Sequence, residues 1–120
     1  MIKLIPDLPH PVLGIRAEGK VTSSDYRSVF VPAVNEKLSK TAKIRLLYQL
    51  GDDFENYEPA AMWEDAKLGL QHYSAWEKAA IITDIGWVRI LSRFFGYLIP
   101  GQVKVFNNNE LEAAKQWVVN

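Results

Sequence analysis

Two groups of side chains in this sequence have the types and spacing to do chemistry, and a third comes close. The stretch "GDDFENYE" places Asp52, Asp53, Glu55 and Glu58 within seven residues. Clustered carboxylates suit a hard cation, but here the glycine comes first and no EF-hand ladder of ligands follows. Acids solvated near a helix N-terminus, where the helix dipole favours them, account for the cluster without a metal. Asp65 and His72 lie seven residues apart and can share the outward side of one helix. A carboxylate beside an imidazole can perform acid–base work. With neither a nucleophile nor a metal ligand beside it, such a pair reads first as a surface ion pair. The stretch "GIRAEGKV" (14–21) nearly spells a phosphate-binding loop. Val21 stands where the magnesium-binding hydroxyl belongs, and both glycines fall inside an alternating strand pattern. The sequence has no G-x-S-x-G elbow, no HExxH, no glycine-rich dinucleotide turn and no RNA-binding aromatic signature.

Bulk composition narrows the classes further. Fourteen basic and fourteen acidic residues cancel, leaving no global field to hold nucleic acid or an anionic membrane. Cysteine is absent, which removes thiol catalysis, disulfides and thiolate metal sites together. Pro6 and Pro9 interrupt the N-terminus before an apolar signal-peptide core develops, and no run is long enough to span a bilayer. The chain reads as one cytoplasmic domain with neither cofactor nor metal.

The elements that must position any site follow from periodicity. Ile2–Ile5 and Val12–Val21 are short β-type runs separated by the proline turn "PDLPHP". "TSSD" supplies a helix cap, and Tyr26, Val29, Phe30, Ala33, Val34 and Leu38 follow at helical spacing, with Pro32 expected to kink the helix. "KIRLLYQL" (43–50) reads as a central strand covered on both faces, followed by an acidic loop at 51–58. Pro59 then opens a helix over 59–75 whose stripe is Met62, Trp63, Ala66, Leu70 and Tyr73. "KAAIIT" (78–83) is another buried strand. A helix from the 82–101 segment, stopped by Pro100-Gly101, leads to the strand "VKVF" and a terminal helix capped by asparagine. The order β-β-α-β-α-β-α-β-α predicts an α/β domain with a mostly parallel sheet and an antiparallel edge strand. Ligands of such sheets gather beyond the strand carboxyl ends, here the loops at 51–58, 83–87 and 107–109.

The helix in "ITDIGWVRILSRFFGYLIPG" carries a surplus. Its large apolar side chains cover roughly 200° of arc. Val88, Leu91, Phe95 and Leu98 suffice as a core stripe, while Trp87, Ile90, Phe94 and Tyr97 form a second, adjacent one. That second stripe can pack on a neighbouring helix, form a homodimer or partner interface, line an apolar ligand pocket, or make shallow membrane contact, which only two flanking basic residues would support.

The stretches "AMWEDAKLGLQH" (61–72), "EKAAIITDIGWVRIL" (77–91) and "VKVFNNNELEAAKQWV" (103–118) resemble the SpoIIAA-like family, of STAS/SEC14 type. Trp63, Asp65, His72, Asp84 and Trp87 stand in that family's usual places. Thr83-Asp84-Ile85 departs from the glycine-before and lysine-after expected around the aspartate. The resemblance implies the STAS fold of the anti-anti-sigma factors. In those factors a phosphorylatable serine opens the helix after the central strand, but Ala42 through Tyr73 holds no serine or threonine. The CRAL-TRIO side of the resemblance implies an apolar, lipid-sized cavity. The expectation is therefore a non-catalytic binding domain using Trp87, Ile90, Phe94 and Tyr97, with Asp52, Asp53 and Asp84 at the adjoining strand ends. The alternative is a small enzyme built on Asp65, His72 and Asp84.

Overall fold

A computed structural model describes all 120 residues. Five strands form one sheet in the order β1-β2-β3-β4-β5. These are β1 (Ile2–Ile5), β2 (Val12–Val21), β3 (Ile44–Tyr57), β4 (Trp76–Ile82) and β5 (Gln102–Phe106). β1 pairs antiparallel with β2, and every later neighbour is parallel. Strand order thus follows chain order, and parallel crossovers are right-handed. Successive crossovers in one direction must then lay their helices on the same face. That face carries α1 (Ser23–Asp25), α2 (Val31–Leu38), α3 (Pro59–Gln71) and α4 (Gly86–Gly96), while α5 (Leu111–Val119) alone covers the other.

The period of two sorts the side chains between these faces. Ile44, Leu46, Tyr48 and Leu50 of β3 join the larger core, and Leu47 joins Ala80, Ile82, Phe106, Ala114 and Val118 beneath α5. Both caps form as the sequence suggests. Thr22 Oγ1 accepts from the Asp25 N–H, and the Asp25 carboxylate accepts from the Thr22 N–H at 2.8 Å. Asn107 and Glu110 make the corresponding reciprocal pair ahead of α5. A cap of this kind is worth about 1 kcal/mol.

Several expected elements differ in detail. Pro32 does not merely kink its helix. It has no N–H, and the preceding residues Tyr26–Phe30 widen into a π-helical turn in which the Val31 N–H bonds the Tyr26 carbonyl. The acidic stretch is not a loop, because β3 continues to Tyr57 alongside β2. Between Ala17↔Leu50 and Val21↔Tyr57 the pairing slips twice, leaving Asp52 and Asp53 on a bulged edge of β3. Gly19 accommodates the slip with a φ of 56°. The third helix stops at Gln71 rather than continuing to 75, and β4 begins two residues earlier than expected, at Trp76.

Candidate functional site

α3 and α4 both cover the larger face of the sheet but diverge over its middle. α3 leans on the 23–30 turn and α4 on β5. The space between them is a cavity of about 310 Å³, and 18 of its 21 lining residues are hydrophobic. It exists because small residues face it where large ones would fill it: Ala79 on the floor, Ala66 and Gly69 on α3. One contact sews the helices together. Phe95 of α4 packs so closely on Gly69 that an added Cβ would meet its ring at 2.8 Å.

The surplus on α4 finds its explanation here. Val88, Leu91, Phe95 and Leu98 all line the cavity, and of these only Val88 is fully buried. The second stripe divides. Trp87 and Phe94 line the cavity and form its rim, 45% and 61% exposed, with the Trp87 ring edge-on to Tyr57 at 6.0 Å. Ile90 and Tyr97 do not reach it, and stand 67% and 87% exposed on the outer side of α4. The stripe read for α3 also shifts. Trp63, Leu70 and Tyr73 lie outside, and the inward positions are Ala61, Met62, Asp65, Leu68 and Gly69.

Asp65 is therefore not on the outward side with His72. Its carboxyl faces the cavity, where Asp65 is the only charged residue of the lining. It anchors a chain of hydroxyls. The Tyr26 hydroxyl donates to Asp65 Oδ1 at 2.8 Å, Tyr26 and Tyr48 hydroxyls meet at 3.0 Å, and Tyr48 and Tyr57 at 2.7 Å. A phenol has one proton to give. With Tyr26 committed to Asp65, Tyr48 must donate to Tyr26 and Tyr57 to Tyr48. The chain runs in one direction and leaves a lone pair on Tyr57 at its far end.

Electrostatics follow from burial. The apolar surroundings raise the Asp65 pKa above the usual carboxylate value although the residue stays exposed at the cavity mouth, and the Tyr26 hydrogen bond only partly opposes this. Burial, with the Asp65 charge adding to it, pushes all three tyrosines upward, so they remain neutral phenols. No Lys, Arg or His pairs with Asp65. An acid with a raised folded-state pKa binds more protons folded than unfolded, so its contribution to stability falls as pH climbs from the unfolded value through the raised one. Asp65→Asn keeps an acceptor for Tyr26 and removes the charge. At neutral pH this variant should be no less stable than the parent, with that segment of the stability-versus-pH curve flattened in urea titrations. A marked loss at neutral pH would refute this account of the charge.

The other anticipated residues stand elsewhere. Asp84 accepts from the Asn108 backbone N–H at 3.1 Å and from Asn108 Nδ2 at 3.2 Å, and Asn108 Nδ2 also reaches the Leu50 carbonyl. Asp84 thus ties the turn before α5 to the end of β4, and Asn108 ties it to the middle of β3. Asp53 pairs with Arg16 at 3.2 Å, and both Asp52 and Asp53 are exposed. None of Asp52, Asp53 and Asp84 lines the cavity. His72 ends α3 ahead of β4, whereas Asp84 follows the far end of that strand, so Asp65, His72 and Asp84 are not brought together. No three carboxylates or histidines stand close enough to hold a metal ion. No helix is long and apolar enough to cross a membrane.

Sequence reasoning missed the tyrosine chain. Part of the signal was present: Tyr48 shares the inward parity of Ile44, Leu46 and Leu50, and Asp65 stands three residues from both Met62 and Leu68. Tyr57 breaks the parity because of the bulge, which no periodicity reveals.

The SpoIIAA-like family model matches residues 12–119. Among solved structures, the chain is similar to an uncharacterised protein of the DUF3478 family from Shewanella loihica PV-4, described as having a SpoIIAA-like fold. The TM-score is 0.78 and identity 26%, covering 98% of this chain and 93% of that one. No curated protein matches.

Proposed function

Because the chain belongs to the SpoIIAA-like family and encloses an apolar cavity with a single polar wall, we propose that it is a non-catalytic domain that binds an apolar small molecule between α3 and α4. The cavity carries this reading. At about 310 Å³ it lies at the lower end of the range for small-molecule sites, and its lining is apolar with few, localised polar groups. At about 30 Å³ for a water-sized group, it has room for about ten non-hydrogen atoms. The enzyme alternative built on Asp65, His72 and Asp84 lacks the convergence that acid–base chemistry requires.

1-Octanol is a suitable probe, and isothermal titration the measurement. The protein should bind it with one-site stoichiometry. Ala79→Leu places three further carbons on the cavity floor and should weaken binding at least tenfold without loss of thermal stability, since it fills a void. No heat of binding with the parent protein, or equal affinity in the variant, would remove the cavity from the function.

The outward Ile90 and Tyr97 favour a second reading, an association face for a protein partner or a second copy of the chain. Native mass spectrometry showing only monomer at micromolar concentration would argue against the homodimer.

A further inference from the structure

We infer that the polar wall of the cavity selects a ligand bearing a protonated amine, held by Asp65 and Tyr57 while the rest of the molecule lies among the apolar side chains of α3, α4 and the sheet. This rests on the cavity being a ligand site, and extends that reading to the chemistry of the head group.

Three observations lead to it. First, the wall is one-sided in hydrogen bonding. With Tyr26 donating to Asp65 Oδ1, each phenol proton along the chain is already committed. What remains for a ligand is a lone pair on Tyr57 and Asp65 Oδ2, which no donor of the protein reaches. Both are acceptors, so a head group seated beside Asp65 must donate, while the free donors of the cavity, the Ser92 hydroxyl and the Trp87 N–H, belong to α4. Second, the carboxylate lacks a counter-charge. The groups facing it are Tyr26 from the 26–30 turn and Tyr48 and Tyr57 from β3. The polar groups that α4 adds to the lining are the Ser92 hydroxyl and the Trp87 indole N–H, and no basic side chain is present. Asp65 is exposed in the unliganded chain, so water covers its charge there, and a cationic head group would replace that water with an ion pair in apolar surroundings. Third, the Tyr26 hydrogen bond does not require the charge, since an asparagine at 65 would accept it equally, which leaves the carboxylate's charge free for a ligand.

The test is a titration series of equal length at pH 7: octylammonium, 1-octanol and octanoate. The expected order of affinity is octylammonium over 1-octanol by at least tenfold, with octanoate weakest. Asp65→Asn should remove the advantage of octylammonium over 1-octanol, in keeping with loss of a charge-assisted contact. Lowering the pH through the Asp65 titration should erode the same advantage in the parent protein. The unmodified protein alone decides the matter if the variant misbehaves. Equal affinity for octylammonium and 1-octanol, or preference for octanoate, overturns the head-group assignment while leaving the cavity as a site. Failure of all three to bind overturns the site itself.

Discussion

Replacing Phe30 with alanine is expected to lower the unfolding free energy by about 3–5 kcal/mol, the range for truncating a buried aromatic. The residue is 2% exposed and belongs to the larger core. The π-helical turn ahead of Pro32 brings it beside Tyr26, ring centroids 5.4 Å apart, and its edge meets Tyr48 at 6.0 Å. Because Phe30 also lines the cavity, the space left by its ring joins an existing void rather than forming a sealed one. The surroundings can close over it only partly, so the loss should lie within that range rather than below it. Urea unfolding followed by far-ultraviolet circular dichroism provides the number. A loss under about 1 kcal/mol would mean that the 26–30 turn repacks freely, and that the tyrosine chain is not held as described.

Gly101→Ala should be comparably severe for a different reason. A Cβ there would collide with the Trp76 carbonyl oxygen and lie 2.9 Å from that of Glu77. Both are backbone atoms at the start of β4, so no rotamer change relieves the clash. Either the β4–β5 pairing that begins at Lys78↔Gln102 shifts, or the turn before β5 is rebuilt. The cost should reach about 3 kcal/mol, the upper end for overpacking. Gly86→Ala is the control. A Cβ at Gly86, the first residue of α4, meets nothing within 4 Å. There alanine should raise stability by about 0.4–1 kcal/mol, because glycine loses more freedom on folding. Thermal unfolding of the two variants side by side gives the comparison, and similar midpoints would contradict the packing at Gly101.

The sequence was most legible where one physical rule acted alone. Alternation placed β2, a continuous apolar run placed the first half of β3, and the "TSSD" and "NNNE" caps fixed two helix starts. The order of elements implied a mostly parallel sheet. Errors arose where rules competed. Clustered acids read as a loop, yet backbone pairing with β2 carried the strand through them as a bulge. On α3, helical spacing of large side chains predicts a stripe through Trp63, Leu70 and Tyr73, yet these point out, and the cavity side holds Met62, alanine, glycine and an aspartate. A cavity is marked by small residues, and hydrophobic patterning weighs those least. The expected crevice beyond the strand ends also presumed a reversal in strand order. This sheet has none, and the space lies instead beneath the helices.

That uninterrupted strand order also bears on how the molecule can assemble. No strand has to be inserted between two others already paired, so once β2 and β3 have met, the sheet can lengthen toward β5 by addition at a free edge. Each addition closes a loop only as long as one crossover, and the entropy of closure never grows with the size of the structure already formed. On this route the cavity between α3 and α4 is completed late. Its floor and the tyrosine chain belong to β3 and its immediate neighbours, while the wall on the side of α4 is set only when β5 docks beside β4.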